Sequence, residues 1–209
     1  MESAPFIAWL AAFQKLVTAN SDYLTELDRQ IGDADHGANM LRGVEAIGEL
    51  DPAEFPDAGS YLKKAGMTLV SKVGGASGPL YGTLLLKMGA ELDTDPAAEL
   101  TAGSFVAALA AGVAGVQARG RAEVGDKTML DAWLPALAAA QETAANGETL
   151  ADTVAAAYAA AQQGAAATIP LVARKGRASY LGERAVGVKD PGAASTELML
   201  QAAAEVFGG

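Results

Sequence analysis

An all-helical fold, a single-domain antiparallel bundle or barrel of eight or nine helices, is what this sequence predicts, on three observations. Apolar residues recur at the helical period along most of the chain. No run of alternating Val, Ile and Thr bounded by turns reads as a strand, so a βαβ rhythm, and with it a Rossmann or P-loop fold, is disfavoured. Alanine-rich stretches such as FVAALAAGVAGV combine high helix propensity with side chains small enough for helix axes to approach closely.

The elements follow in order. Phe6, Leu10, Phe13 and Val17 mark a first helix, started by Ser3 with Pro5 just inside and ending near Asn20. Ser21 reads as the cap of a second, through Tyr23, Leu24 and Leu27, which the polar run QIGDADHG interrupts. A third runs from Ala38 to Leu50, DPAEFPD connects, and GSYLKKAGMTLVSKV forms a fourth that stops at Gly74–Gly75. Pro79 opens a fifth, and residues 102–119, 131–145, 150–167 and 194–207 complete the set, joined by connectors with Asp–Pro, Asn–Gly and Gly–Asp turn signals. The stretch from Ile169 to Ala193 stands apart, rich in Gly, Arg and Lys without a helical period; a loop that long inside a domain is usually functional or disordered.

With 209 residues, 51% of them apolar, the chain suffices for one domain spanning residues 1–209, with a core that needs no disulfide or structural metal. The absence of cysteine excludes a thiolate zinc site and a cysteine nucleophile. The opening SAPFIAWLAAFQKLV has no basic leader and carries Gln14 and Lys15 within it, which argues against a signal peptide and makes the cytoplasm the expected location. No segment reaches the roughly 18 uninterrupted apolar residues of a membrane span. A net charge of −10 repels a phosphate backbone, so no nucleic-acid partner is expected. Five of the 15 Lys and Arg residues nevertheless cluster at Arg174, Lys175, Arg177, Arg184 and Lys189, either as a solvated basic loop or as a local site for an anion.

Two runs carry the chemistry. Asp28-Arg-Gln-Ile-Gly-Asp33-Ala-Asp35-His36-Gly37 places three carboxylates at a helix-to-loop junction. Carboxylates this close repel unless a cation lies among them, and magnesium takes a few carboxylates with water and phosphate completing its octahedron; an acidic, solvated helix start is the competing reading. An EF-hand is excluded because Val44 stands where its bidentate glutamate belongs. The second run, Gly74-Gly75-Ala76-Ser77-Gly78-Pro79-Leu80-Tyr81-Gly82, has the small residues and helix start that bind phosphate, and equally the small residues of close helix packing. No G-x-x-x-x-G-K-[ST] loop occurs, Gly125-Asp-Lys-Thr128 lacks its spacing, and the H-R-D and D-F-G sequences of protein kinases are missing. His36, the single histidine, fits hydrogen bonding to phosphate better than carrying a phosphoryl group; a structural role is the alternative.

LDRQIGDADHGANMLRG, GGASGPLYGT, GRAEVGDKTMLDAW and GRASYLGERAVGVKDPGAAST resemble, in this order and spacing, the signature segments of the dihydroxyacetone kinase L subunit family, over nearly the whole chain. The resemblance implies an antiparallel barrel of eight helices with ADP and two magnesium ions at one end. By matching motif, Asp28, Asp33 and Asp35 are the magnesium ligands; His36, Gly37, Ala38 and Asn39 contact the phosphates and ribose; and Ala76, Ser77 and Gly78 form the phosphate turn. Gly120 and Met129 flank the adenine, and Arg177 with Asp190, Pro191 and Gly192 belongs to a loop closing over the nucleotide. Ser77 would hold the transferring group and Arg177 would offset its charge.

The resemblance also implies partners: a K subunit that holds the keto-sugar, and a phosphotransferase-system M component that rephosphorylates retained ADP to ATP in place. A homodimer is expected, and some relatives contact a transcription regulator. A free-standing L-type chain favours this phosphoenolpyruvate-dependent arrangement over an ATP-exchanging kinase; an ADP-sensing regulatory module and a purely structural helical protein are the other readings. The sugar, dihydroxyacetone or a four-carbon ketose, is chosen on the other subunit.

Overall fold

The computed structural model describes residues 1–95 and 98–209. The Asp95–Pro96 turn signal runs into residues 96–97, outside the described residues. Eight α-helices are present among the described residues: α1 (Ala4–Ile31), α2 (His36–Gly48), α3 (Ala58–Lys72), α4 (Ser77–Leu92), α5 (Ala102–Gly120), α6 (Leu130–Ala145), α7 (Leu150–Ala167) and α8 (Pro191–Phe207). Two 3-10 segments, Pro52–Glu54 and Arg177–Ala185, lie in the connectors. The described residues form no strand; a lone antiparallel bridge joins Glu2 and Asp57.

Each helix packs on the next, and α8 returns to α1, so the all-helical expectation is met by a closed antiparallel ring. A stripe of buried residues on α1 (Phe6, Trp9, Leu10, Phe13, Val17, Leu24) faces the interior. At one end of the ring Trp9, Phe105 and Phe207 meet with centroids 5.4–6.2 Å apart, and the Trp9 indole donates to the Met199 carbonyl at 2.9 Å. Helix α5 is the one described helix long and apolar enough to cross a membrane by length and composition; here it packs between α4 and α6, burying Phe105, Leu109, Val113 and Val116.

Four expected boundaries move. The break at Asn20–Ser21 does not occur: Thr18 Oγ1 donates to the Gln14 carbonyl at 2.8 Å and Asn20 Nδ2 to Leu16 at 2.8 Å, so the polar run satisfies itself along an unbroken 28-residue helix. Helix α2 begins at His36 rather than Ala38, and α4 at Ser77 rather than Pro79. The segment 169–193 is not aperiodic throughout. It contains the 3-10 segment, and α8 starts at Pro191 rather than near residue 194, because the Asp190 side chain accepts from Ala193 N at 2.7 Å and Pro191 supplies a preset φ in the first turn.

Helices α3 and α4 approach most intimately through glycine. A Cβ on Gly66 would lie 2.7 Å from the Gly82 carbonyl, and one on Gly82 2.7 Å from the Gly66 carbonyl; Gly59 and Gly89 repeat the arrangement one heptad away along both helices. Gly66→Ala and Gly82→Ala are therefore expected to destabilise the fold by about 1–3 kcal/mol through overpacking, outweighing a helix-propensity gain of up to about 1 kcal/mol. Gly103→Ala on exposed α5 backbone, where a methyl group meets only Thr101 Oγ1 at 3.8 Å, is expected to leave stability unchanged or slightly raised. Denaturant midpoints of the three variants check the contrast.

Candidate functional site

The C-termini of α1, α3 and α5 and the N-termini of α2, α4, α6 and α8 converge on a cavity of about 390 Å³. Helix starts differ between the two ends of the ring, with α1, uncapped on Ser3, and α8, capped by Asp190, as the exceptions. Asp57, Thr101 and Thr149 cap α3, α5 and α7 with their own side chains, whereas α2, α4 and α6 begin on Asp35, Ala76 and Met129 without a side-chain cap. Uncapped first-turn amides and the helix dipole make such a start receptive to an anion. Ala76 and Ser77, at the start of α4, line the cavity.

The three aspartates meet here. Asp28, buried in the last turn of α1, accepts from Asp35 N at 2.8 Å and His36 N at 3.1 Å through one carboxylate oxygen, tying the end of α1 to the start of α2. Between them Ala34 takes φ 62°, the left-handed region, which for a residue with a Cβ costs about 1–2 kcal/mol. The fold of this turn brings one carboxylate oxygen each of Asp28, Asp33 and Asp35 within 4.8 Å of one another. Three hard oxygen donors in reach of one ion fit magnesium or calcium chemistry. Asp33 also pairs with Arg177 at 2.9 Å.

His36 is buried in a chain of hydroxyls. Its Nδ1 lies 3.0 Å from Ser77 Oγ and its Nε2 2.9 Å from Ser195 Oγ; Ser195 meets the Tyr81 hydroxyl at 2.7 Å, and Tyr81 meets Thr196 Oγ1 at 3.1 Å. Burial pushes the imidazole down to about 4 against the pull of Asp28 and Asp35, so His36 is neutral at physiological pH, one nitrogen donating and the other accepting. Ser77 is thereby held at the mouth of α4 by a group on α2 that α8 anchors.

Across the cavity, Ile31, Leu80, Val116, Met129 and Leu130 supply an apolar wall. Behind it Lys127, 1% exposed, donates to the carbonyls of Thr168 and Val188, each at 2.6 Å. Burial lowers its ammonium from the ordinary lysine value, while Asp190 and Asp131 support the charge. Burial pushes the Asp190 carboxyl up to about 7, opposed by the Ala193 amide and by Lys127.

Of the residues singled out by the motifs, Asp28, Asp33, Asp35, His36, Ala76, Ser77, Gly120, Met129, Arg177, Asp190, Pro191 and Gly192 line the cavity. Gly37, Ala38, Asn39 and Gly78 do not. Gly37 packs against α1, where a Cβ would lie 2.0 Å from the Ser21 carbonyl; Gly78 packs against Val73; Asn39 accepts from Arg42 at 3.1 Å; and Ala38 faces solvent. Lys127, Ser195 and Tyr81 were not anticipated, although each lies within a quoted segment. The available signal was a lysine inside a Gly-Asp turn and hydroxyls beside the glycines.

The two shifted groups oppose one another in pH. Unfolded histidine takes up a proton near 6.5 and folded His36 only near 4, so its contribution is complete above pH 6.5 and lost as pH falls toward 4. Asp190 runs the other way: raised from 3.8 to about 7, its contribution is complete below 3.8 and lost as pH rises through 7. Asp190→Asn, which keeps a capping oxygen, is expected to lose about 2–4 kcal/mol more stability than the parent between pH 7 and pH 4. Denaturant titrations at both pH values check this; equal losses in the two proteins contradict it.

Residues 30–205 match the DAK2 domain. The chain is 44% identical over 196 residues to the PEP-dependent dihydroxyacetone kinase, ADP-binding subunit DhaL, of Escherichia coli strain K12, covering 93% of this chain and 92% of that one. It is 42% identical over 202 residues to the PTS-dependent dihydroxyacetone kinase, ADP-binding subunit DhaL, of Lactococcus lactis subsp. lactis strain IL1403, covering 96% and 95%. Its fold superposes, with a TM-score of 0.74 and 27% identity, on the dihydroxyacetone kinase from C. freundii in complex with AMP-PNP and Mg2+, covering 98% of this chain and 34% of that kinase, about a third of its length. With the match spanning the cavity and nearly all of the ring around it, the chain belongs to the DAK2 domain family.

Proposed function

We propose that this chain is the nucleotide-holding subunit of a dihydroxyacetone kinase, with ADP and magnesium, two ions by the family pattern, bound in the cavity as a retained cofactor. The whole ring, residues 1–209, acts as one nucleotide-binding unit. The observation that carries the reading is the gathering of Asp28, Asp33 and Asp35 within 4.8 Å on the cavity that the uncapped start of α4 also lines. The names of the relatives point the same way, as ADP-binding subunits of phosphoenolpyruvate-dependent kinases.

When bound, magnesium and nucleotide supply the transferable phosphoryl group and neutralise its negative charge. The remaining work falls to side chains. Asp28, Asp33 and Asp35 hold the metal, and Ser77 with the first amides of α4 holds phosphate oxygens. Neutral His36 in the Nδ1–H tautomer donates to Ser77 Oγ and accepts from Ser195 at Nε2, which fixes the Ser77 hydroxyl and leaves its proton for a phosphate oxygen. Arg177, paired with Asp33 across the cavity mouth, is placed to meet charge on the transferring group. Gly120 and Met129, with the apolar wall, suit the adenine. No general base is needed on this chain, because phosphoryl transfer asks chiefly for positioning and electrostatic stabilisation. The sugar would sit on a separate K-type partner, and an M-type phosphoprotein would recharge the nucleotide.

The experiment is a thermal melt with ADP, magnesium or both. ADP with magnesium is expected to stabilise the protein by about 2.7 kcal/mol at a free concentration 100 times its dissociation constant. Asp33→Ala and Asp35→Ala are each expected to abolish that gain while leaving the unliganded melt unchanged or raised, since a repelling charge is removed. Equal stabilisation by ADP in excess chelator, or full stabilisation of both variants, sinks the metal-bridged reading.

A further inference from the structure

Lys127 is the single lysine or arginine with a fully buried side chain among the described residues. Its ammonium donates to Thr168 O at 2.6 Å and Val188 O at 2.6 Å, with Ile169 O at 3.4 Å, so its three donors face carbonyls from both ends of one segment. The same base is closed by Gly187 N on Ile169 O at 2.8 Å and by Asp190 N on Thr168 Oγ1 at 2.9 Å. Midway between the clamped ends stands Arg177, whose exposed guanidinium pairs with Asp33. An arginine 67% exposed is not held in place by its own burial, so the backbone that carries it must be held elsewhere.

The clamp is itself braced. Lys127 takes φ 62°, an unfavourable region for a lysine, in a turn whose amides Gly125 N and Thr128 N are received by Asp131 at 2.5 and 2.7 Å. Asp131 lies in the first turn of α6 beside Met129, on the adenine side of the cavity, and Arg174 N bonds to Asp126 O at 3.0 Å from the loop side. A simple solvated loop would not bury an ammonium at its neck, where desolvation must be repaid by charge-assisted hydrogen bonds.

We propose that Lys127, with Thr168, is a positioning residue that clamps the neck of the 168–188 segment and so sets Arg177 over the aspartate cluster. This rests on the nucleotide reading above, and the experiment separates the two. In full-length protein, calorimetry with ADP and magnesium would be run on Lys127→Met, Arg177→Ala and the double variant. Each single variant is expected to bind at least about tenfold more weakly, with the double variant within about threefold of the weaker single, because the two act through one another. Multiplicative losses in the double variant overturn the clamp, since a general loss of stability would leave the effects independent.

A second arm needs no nucleotide. Trypsin is expected to cut Lys127→Met at Arg174, Lys175 or Arg177 at least about tenfold faster than the parent, with unchanged helix content. Equal rates overturn the clamp whether or not nucleotide binds. Should Lys127→Met fail to fold, Thr168→Val, isosteric and lacking only the hydroxyl that receives Asp190 N, replaces it in both arms, with the same non-additivity and a smaller loss expected. If the parent binds no ADP with magnesium, the nucleotide reading fails, and the cleavage arm alone decides the clamp.

Discussion

Antiparallel closure of the helical ring is the constraint on which the rest depends. Four residues separate α1 from α2 and four separate α3 from α4. Such a linker reaches about 14 Å, whereas the 16-residue α4 is about 24 Å long, so the chain must reverse rather than cross the bundle. The longer connectors are not so constrained, but there too each helix packs on the next and α8 closes on α1, which sends alternate helix starts to the same end. The aspartate turn, the glycine-rich turn, Met129 and the Asp190–Gly192 start of α8 therefore meet at one end, where Lys127 ties the long α7–α8 connector to the α5–α6 connector.

Electrostatics gives that end its character. The chain is strongly acidic, yet the cavity joins three aspartates to Arg177 and Lys127 and to the uncapped start of α4. Asp28 holds the geometry through two backbone amides, leaving its second oxygen for other work. Asp33 and Asp35 are the looser members, brought inward by the left-handed residue between them. The neutral His36 avoids adding a charge where a metal ion would sit, and it ties α2 to α4 and α8 in one hydrogen-bonded chain. Positive charge comes instead from Arg177 and Lys175 on the loop, from Arg119 on α5 and from buried Lys127.

Much of this was legible in the sequence because it is local. Three carboxylates in eight residues, a glycine-rich helix start and a basic stretch without helical period each announce themselves by spacing, and the ring places all three together. Elsewhere locality failed. Ser21 has the composition of a cap, but neighbouring polar side chains bond to carbonyls one turn back and the helix continues. The close packing of Gly37 on the Ser21 carbonyl and of Gly78 on the Val73 carbonyl is likewise not announced by the local sequence. The His36–Ser195 contact joins residues 159 apart, and Lys127 reaches carbonyls 41 and 61 residues away. No periodicity encodes such contacts, and they appear only once the ring has closed.

The central claim is that the three aspartates hold the metal of a metal–nucleotide complex. Anomalous diffraction from crystals grown with ADP and manganese, which replaces magnesium at oxygen sites, tests it most directly. The account predicts anomalous peaks within coordination distance of Asp28, Asp33 and Asp35, with nucleotide phosphates between them and Ser77, and the number of peaks counts the ions. Nucleotide density elsewhere on the ring, or nucleotide in the cavity with no peak at the aspartates, would contradict it.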